Sequence, residues 1–382
     1  MKSNIVVLFL IIASLSLLVA GCGNQTPTAN VAKNTQSNME RETIKIGYIG
    51  PLTGDVASIG IAGKNGMILA VEEINKKGGI NGKLIEAIYE NSKCNGKDAS
   101  SAAQKLVNMD DVDYIVGGYC SSETIGAYPI TEENKRILFS PCSSNPDITT
   151  AGDYVFRDYP SDTFQGAYAA EFAYSGGVRK VAILSCLSDW CVGLKDVFSA
   201  RFEELGGEVL SIQEFTQGSP DLRSQLTKIK RENPDLIYMP AYTDSTVNGL
   251  KQANELGLDM SKFLGADAWI DENIWNQLGK SADGVRFLTK KNVVPEDFQD
   301  RYRQRFNGKE ISICTAETYD IVKILAEKIS EYGDNVDKVK DSLYSVKKYK
   351  GMSGEITLDN NGDLVKAEYD TMKIEGGTPV EI

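Results

Sequence analysis

The sequence predicts an α/β protein built as two doubly wound lobes. Short β-branched apolar runs alternate with segments of helical apolar period, separated by Gly, Pro and Asn, as parallel sheets covered by helices require. The series pauses after Pro146 and restarts at Val181, so the chain carries two such arrays in succession. About 340 residues follow a polar stretch that ends at residue 42, more than one small core accommodates.

Residues 44–49 alternate and read as the first strand, broken by Gly50, Pro51 and Gly54. A helix follows with apolar residues at Ile59, Ala62, Met67, Ala70, Val71 and Ile74, closed by Gly78 and Gly79. Strand 84–89, helix 99–109, strand 114–116 and strand 137–140 complete the first array. The second has strands at 181–184, 209–212, 236–239 and 262–265, with helices at 194–205, 222–231 and 247–256. Beyond it come a strand at 285–288, a charged helix at 298–306, a periodic helix at 318–332, and apolar runs at 355–358 and 366–374. Residues 359–363 faintly resemble a calcium loop, but Asp370 stands where its twelfth-position Glu belongs, so a hairpin turn is expected.

The N-terminus has a basic Lys2, an apolar run over 5–20 and then Gly21-Cys22, the pattern of an export signal over 1–21. Val19-Ala20-Gly21-Cys22 resembles a lipobox, which implies cleavage before Cys22 and a lipid on that cysteine. Residues 23–42, rich in Asn, Thr, Gln and Ser, read as a flexible tether. The expected location is therefore outside the cytoplasmic membrane, attached through Cys22. A net charge of −12 argues against nucleic acid as partner.

The chain contains no histidine, which removes Ser-His-Asp and Cys-His catalysis and the usual zinc ligand sets. Setting Cys22 aside leaves six cysteines, an even number that invites disulfides in an exported chain without fixing which pair. None has CxxC spacing, and no metal or cofactor is expected.

Ligands of doubly wound sheets bind at the carboxyl ends of the strands. The loops there (50–60, 118–123, 141–145, 185–191, 241–246 and 266–271) carry hydroxyls, aromatics and carboxylates but no Lys or Arg. An anion would be held by N–H groups and hydroxyls, and a cation by a carboxylate, a combination suited to a free amino acid. In the stretch 116–124, strand hands over to helix, so Ser121 and Ser122 suit either a carboxylate contact or helix capping. A secreted hydrolase using Asp189 and Asp267 is the competing reading of another class, disfavoured by the missing histidine. A Cys120 or Cys142 nucleophile would lack its base.

Ile46-Gly47-Tyr48-Ile49-Gly50-Pro51-Leu52-Thr53-Gly54, then Glu73-Ile74-Asn75 running into Gly78-Gly79-Ile80-Asn81-Gly82-Lys83, are similar to type I extracytoplasmic solute-binding proteins. The resemblance is greatest to the leucine/isoleucine/valine-binding branch that feeds ABC transporters, and it spans nearly all of 43–375. It implies a bridge between Cys94 and Cys120, and ligand contacts from Ser121 and from the loop Pro141-Cys142-Ser143-Ser144. There Ser144 replaces the family's Thr, and Cys142 offers a main-chain carbonyl. It also implies that Tyr242 closes over the ligand and Asp267 accepts from its ammonium, with Asp162 a further acid near the hinge. Tyr119 belongs to the same turn as Ser121. The side-chain pocket departs from the pattern, with Ile59 where an aromatic is usual, Trp190 in place of Tyr, and Cys314 near a position often Phe. Cys186 and Cys191 flank Trp190 and are expected to form a local bridge.

The resulting expectation is a periplasmic-binding-protein type I architecture, two α/β lobes joined by three hinge crossovers. The first lobe takes 43–160 and 289–350, the second 161–288 and 351–382. The chain is expected to be a monomer that binds a free amino acid, branched-chain or another aliphatic one, and presents it to permease subunits, without catalysis. A sensory module for an amide- or urea-type ligand is the alternative on the same fold.

Overall fold

The computed structural model describes residues 43–291 and 294–382. The expected signal 1–21, Cys22 and the tether up to residue 42 lie outside the described residues.

In the first lobe, β1 (Ile44–Gly50), α1 (Ala57–Lys76), β2 (Ile85–Asn91), α2 (Gly96–Asn108), β3 (Tyr114–Gly117), α3 (Ser121–Glu133), β4 (Ile137–Ser140) and β5 (Val155–Arg157) build a parallel sheet of order β2-β1-β3-β4-β5. Alternate strand residues enter opposite cores. Ile46, Tyr48, Tyr114, Val116 and Phe139 pack with Met67 and Ala70 of α1, while Ile49, Ile115 and Leu138 pack with Ala103 and Leu106 of α2.

The chain then crosses to α4 (Asp162–Ser175), β6 (Lys180–Cys186), α5 (Asp189–Glu204), β7 (Glu208–Phe215), α6 (Arg223–Glu232), β8 (Leu236–Tyr238), α7 (Thr243–Glu255), β9 (Phe263–Gly265), α8 (Glu272–Leu278) and β10 (Arg286–Lys290). It returns with α9 (Glu296–Arg305), α10 (Thr315–Tyr332), which lies against α1, and α11 (Val336–Leu343). A small hairpin, β11 (Tyr349–Lys350) and β12 (Glu355–Ile356), precedes the last crossing to β13 (Tyr369–Glu375) and β14 (Thr378–Glu381). The second sheet has the order β14-β13-β10-β9-β8-β6-β7, with β13 antiparallel to β10. Three crossovers thus join the two sheets.

Two departures from expectation have physical causes. The segment 351–382 does not all join the second lobe, because Ile356, Leu358 and Leu364 bury themselves in the first-lobe core and the crossing comes just before Tyr369. Helix α4 has no counterpart in the predicted elements. Its buried face consists of Asp162, Gln165, Gly166, Ala169, Ala170 and Ala173, small or polar residues that leave no apolar stripe.

The crossovers are tied by buried charge. Arg157 is fully buried; its Nε and Nη2 each donate to Asp363 at 2.6 Å, and its Nη1 donates to the Asn145 carbonyl at 2.9 Å. Beside it, Lys290 Nζ donates to Glu317 at 2.9 Å, while Asp320 accepts from the Met352 and Ser353 N–H groups at 2.8 and 2.7 Å. Burial pushes the Asp320 carboxyl up from 3.8 to about 6, and it raises Asp158 as well.

These acids give stability an unusual pH dependence. A carboxyl whose pKa is higher in the folded chain binds its proton more tightly there, so stability rises as pH falls through 6 and is lost as pH rises again. The Asp320 rise is worth about 3 kcal/mol when fully expressed, and about half of that by pH 5. The melting temperature is expected to be higher at pH 5 than at pH 7.5. Equal values, or a lower one at pH 5, would contradict this.

Candidate ligand-binding site

The strand orders place a switch point between β1 and β3 in one sheet and between β6 and β8 in the other. Loops at the carboxyl ends of these strands diverge there and leave a crevice. The two crevices face each other across a narrow cavity that is partly open to solvent. From the first lobe, Pro51, Val56 and Ile59 line it after β1, Tyr119, Cys120 and Ser121 after β3, and Cys142 and Ser144 after β4. Trp190 after β6, Tyr242 after β8, and Asp267 and Ala268 after β9 come from the second lobe, with Ile313 completing the wall. No Lys or Arg is among the lining residues.

Ser121 is the first residue of α3, so its neighbouring N–H groups have no intrahelical acceptor and carry the positive end of the helix. Its Oγ accepts from the Ser144 and Asn145 N–H groups at 3.3 and 3.1 Å. Both bonds use the oxygen as acceptor, which leaves the hydroxyl proton to donate. Ser121 thereby fixes the Ser144 loop while keeping a donor of its own.

The turn before α3 is organised by Glu123. One carboxylate oxygen accepts from the Tyr119 and Cys120 N–H groups at 2.8 and 3.0 Å. The other accepts from the Cys94 N–H at 2.8 Å and the Ser92 hydroxyl at 2.6 Å. Cys94 and Cys120 are bridged, with Cα atoms 5.3 Å apart, so the same two loops are joined by a covalent and an ionic device.

Asp267 is buried, and its Oδ2 accepts from Tyr159 OH at 2.7 Å. Burial pushes its pKa up, against the help of that hydroxyl. Asp162 is also buried and also raised, first by burial and then by the charge of Asp267. The ring centroids of Trp190 and Tyr242 lie 4.6 Å apart, and the two rings form an aromatic wall of the second lobe.

Of the residues singled out from sequence, Ser121, Ser144, Tyr242, Asp267, Cys142, Trp190, Ile59 and Tyr119 thus meet around one cavity. Three do not reach its wall. Ser143 turns its hydroxyl inward to the Gly118 and Cys120 carbonyls at 2.9 and 3.1 Å and to Thr124 at 2.7 Å. Asp162 opens α4, its N–H donating to the Ser144 carbonyl at 2.7 Å. Cys314 is fully buried and bridged to Cys142, and its neighbour Ile313 is the lining residue instead. Cys186 and Cys191 form the local bridge beside Trp190. Sequence reasoning missed Glu123, although its place three residues after the Cys120 cap is that of a capping-box acid.

The family model described as "Periplasmic binding protein" matches residues 43–378. The leucine-, isoleucine-, valine-, threonine- and alanine-binding protein of Pseudomonas aeruginosa is 28% identical over 338 residues, covering 87% of this chain and 90% of that protein. Among solved structures, a leucine-binding protein from Thermotoga maritima superposes with a TM-score of 0.82 at 29% identity, covering 89% of this chain and 98% of that one. A branched-chain amino acid transporter substrate-binding protein from Streptococcus pneumoniae, in complex with isoleucine, gives 0.80 at 28% identity, covering 89% and 100%.

Proposed function

The chain belongs to the periplasmic binding protein family, and from that premise we propose that it captures a free aliphatic amino acid between its lobes and delivers it to an ABC-transporter permease. The family is one of extracytoplasmic binding proteins rather than enzymes. In this reading the mature chain is held at the membrane by a lipid on Cys22 and works as a monomer.

One observation carries the choice of ligand. The cavity holds a buried carboxylate, Asp267, and serines at a helix start, Ser121 and Ser144, with no cationic side chain in its lining. A buried carboxylate without a counter-charge is costly, and an ammonium group relieves it. The ligand's own carboxylate goes to the Ser121 and Ser144 hydroxyls and the N-terminal N–H groups of α3. Cys142 contributes its main-chain carbonyl to the ammonium, and Tyr242 closes over the bound molecule.

The rest of the lining is apolar, with Val56, Ile59, Ile313, Trp190 and the bridged Cys142 around the side chain. Such a wall gains by burying aliphatic carbon and offers no partner to a second charge. The names of the similar proteins, which bind leucine, isoleucine and valine, support the same ligand class.

A thermal-shift panel tests the proposal. At a hundred times its dissociation constant, a ligand that binds only the folded chain adds about 2.7 kcal/mol, a rise of several degrees. Leucine, isoleucine or valine is expected to give that rise, while aspartate, lysine and arginine give none. A shift by an amide, urea or an aromatic acid alone would overturn the ligand class.

A further inference from the structure

Helix α7 begins with a cap it does not supply itself. Its capping position is Tyr242, whose side chain lines the cavity and makes no capping bond. The N–H of Asp244, in the first turn, donates instead to Asp55 Oδ1 of the other lobe at 2.8 Å. Helix α5 has its own cap, Ser188 Oγ accepting from the Cys191 N–H at 3.3 Å, and its first N–H is held from the other lobe as well. The Asp189 N–H donates across the cleft to Ser122 Oγ at 3.3 Å, and the Asp189 carbonyl accepts from Asn145 Nδ2 at 2.6 Å. A fourth cross-lobe bond runs from Ser58 Oγ to Asp271 Oδ2 at 3.0 Å, where Thr243 Oγ1 also donates at 2.8 Å.

Neither Asp55 nor Ser122 lines the cavity, whereas Trp190 and Tyr242 do. Trp190 follows Asp189, and Tyr242 stands two residues before Asp244. Each latch therefore holds the helix start that carries one aromatic wall of the site. An orphan N–H at a helix start is satisfied when the lobes meet and returns to water when they part.

Resting on the reading of the cavity as the ligand site, we propose that Asp55 and Ser122 are closure latches, positioning residues that cap the second lobe's helices α7 and α5 from the first lobe and set ligand residence time without touching the ligand. Closed-state bonds of this kind shift the open–closed equilibrium, and affinity follows the closed fraction.

Asp55→Ala is expected to weaken binding about five- to tenfold, the scale of losing one helix cap. The loss is expected in a faster dissociation rate, with the affinity ranking of leucine, isoleucine and valine unchanged. Ser122→Ala does the same to a smaller extent. Asp55→Asn keeps the acceptor oxygen and removes a charge that burial already disfavours, with the Asp55 pKa raised to about 6, so it binds at least as tightly as the parent.

The parental dissociation rate returns in Asp55→Asn, which separates a latch that needs only an acceptor oxygen from a general structural role. Parental affinity and dissociation rate in Asp55→Ala, or a changed ligand ranking, would overturn the proposal. If the parent chain binds no amino acid, the functional reading fails. The latch is then read by small-angle scattering, where the Asp55→Ala/Ser122→Ala chain is expected to be more extended than the parent. Equal radii of gyration would sink it.

Discussion

Replacing Asp267 by alanine is expected to weaken amino-acid binding at least about a hundredfold while leaving the free protein as stable as before, or more so. The two halves of that expectation come from the same physics. In the folded chain Asp267 is buried, and burial raises its pKa against the help of the Tyr159 hydroxyl, the Ala268 N–H and the Gln165 side chain. Its charge therefore costs the free protein something, which offsets the loss of those interactions when it is removed. In the complex the balance reverses. An ammonium desolvated in the cavity without its carboxylate loses about 3–5 kcal/mol, the penalty of breaking one side of a buried ion pair.

Asp267→Asn keeps an oxygen for Tyr159 but not the charge, so its loss should fall between alanine and the parent. Isothermal titration with leucine or isoleucine, paired with melting of the free chain, measures both quantities. Retained affinity in Asp267→Ala would mean that the ammonium lies elsewhere and would remove the basis for an amino-acid ligand.

Legibility from sequence followed the strength of periodic signals. Strands such as β3 and β8 are apolar on both faces, and the turns at their carboxyl ends follow from that, so the cleft loops are legible from the sequence. Side-chain direction was harder to read. Ser143 and Ser144 are adjacent and chemically alike, yet one points into the protein and the other to the cavity, decided by the Gly118 carbonyl and the Thr124 hydroxyl that claim Ser143. Ile313 was hidden because the chain bends at Cys314, a left-handed residue held by its bridge. Helix α4 was missed for want of large apolar residues. The cross-lobe pairs are invisible to any local pattern, since Asp55 and Asp244 are 189 residues apart.

Glu123→Ala is expected to destabilise the folded chain by about 4 kcal/mol or more and to weaken ligand binding with it. Four donors converge on this carboxylate, from Ser92, Cys94, Tyr119 and Cys120. All are buried, and water cannot replace the acceptor without opening the loops. Each orphaned donor costs about 1–3 kcal/mol, offset in part by relief of the burial that raises the Glu123 pKa. The Cys94–Cys120 bridge keeps the loops linked, so the chain should still fold, but Ser121 follows Cys120 directly and loses its fixed position. Glu123→Gln separates geometry from charge. It keeps one oxygen and turns an amide NH2 toward either the Tyr119 and Cys120 N–H groups or the Ser92 and Cys94 donors, so donor meets donor and most of the stability is still lost. Urea unfolding of the three proteins gives the comparison. A loss below about 1 kcal/mol in Glu123→Ala would show that the bridge alone holds the turn and that the carboxylate is dispensable.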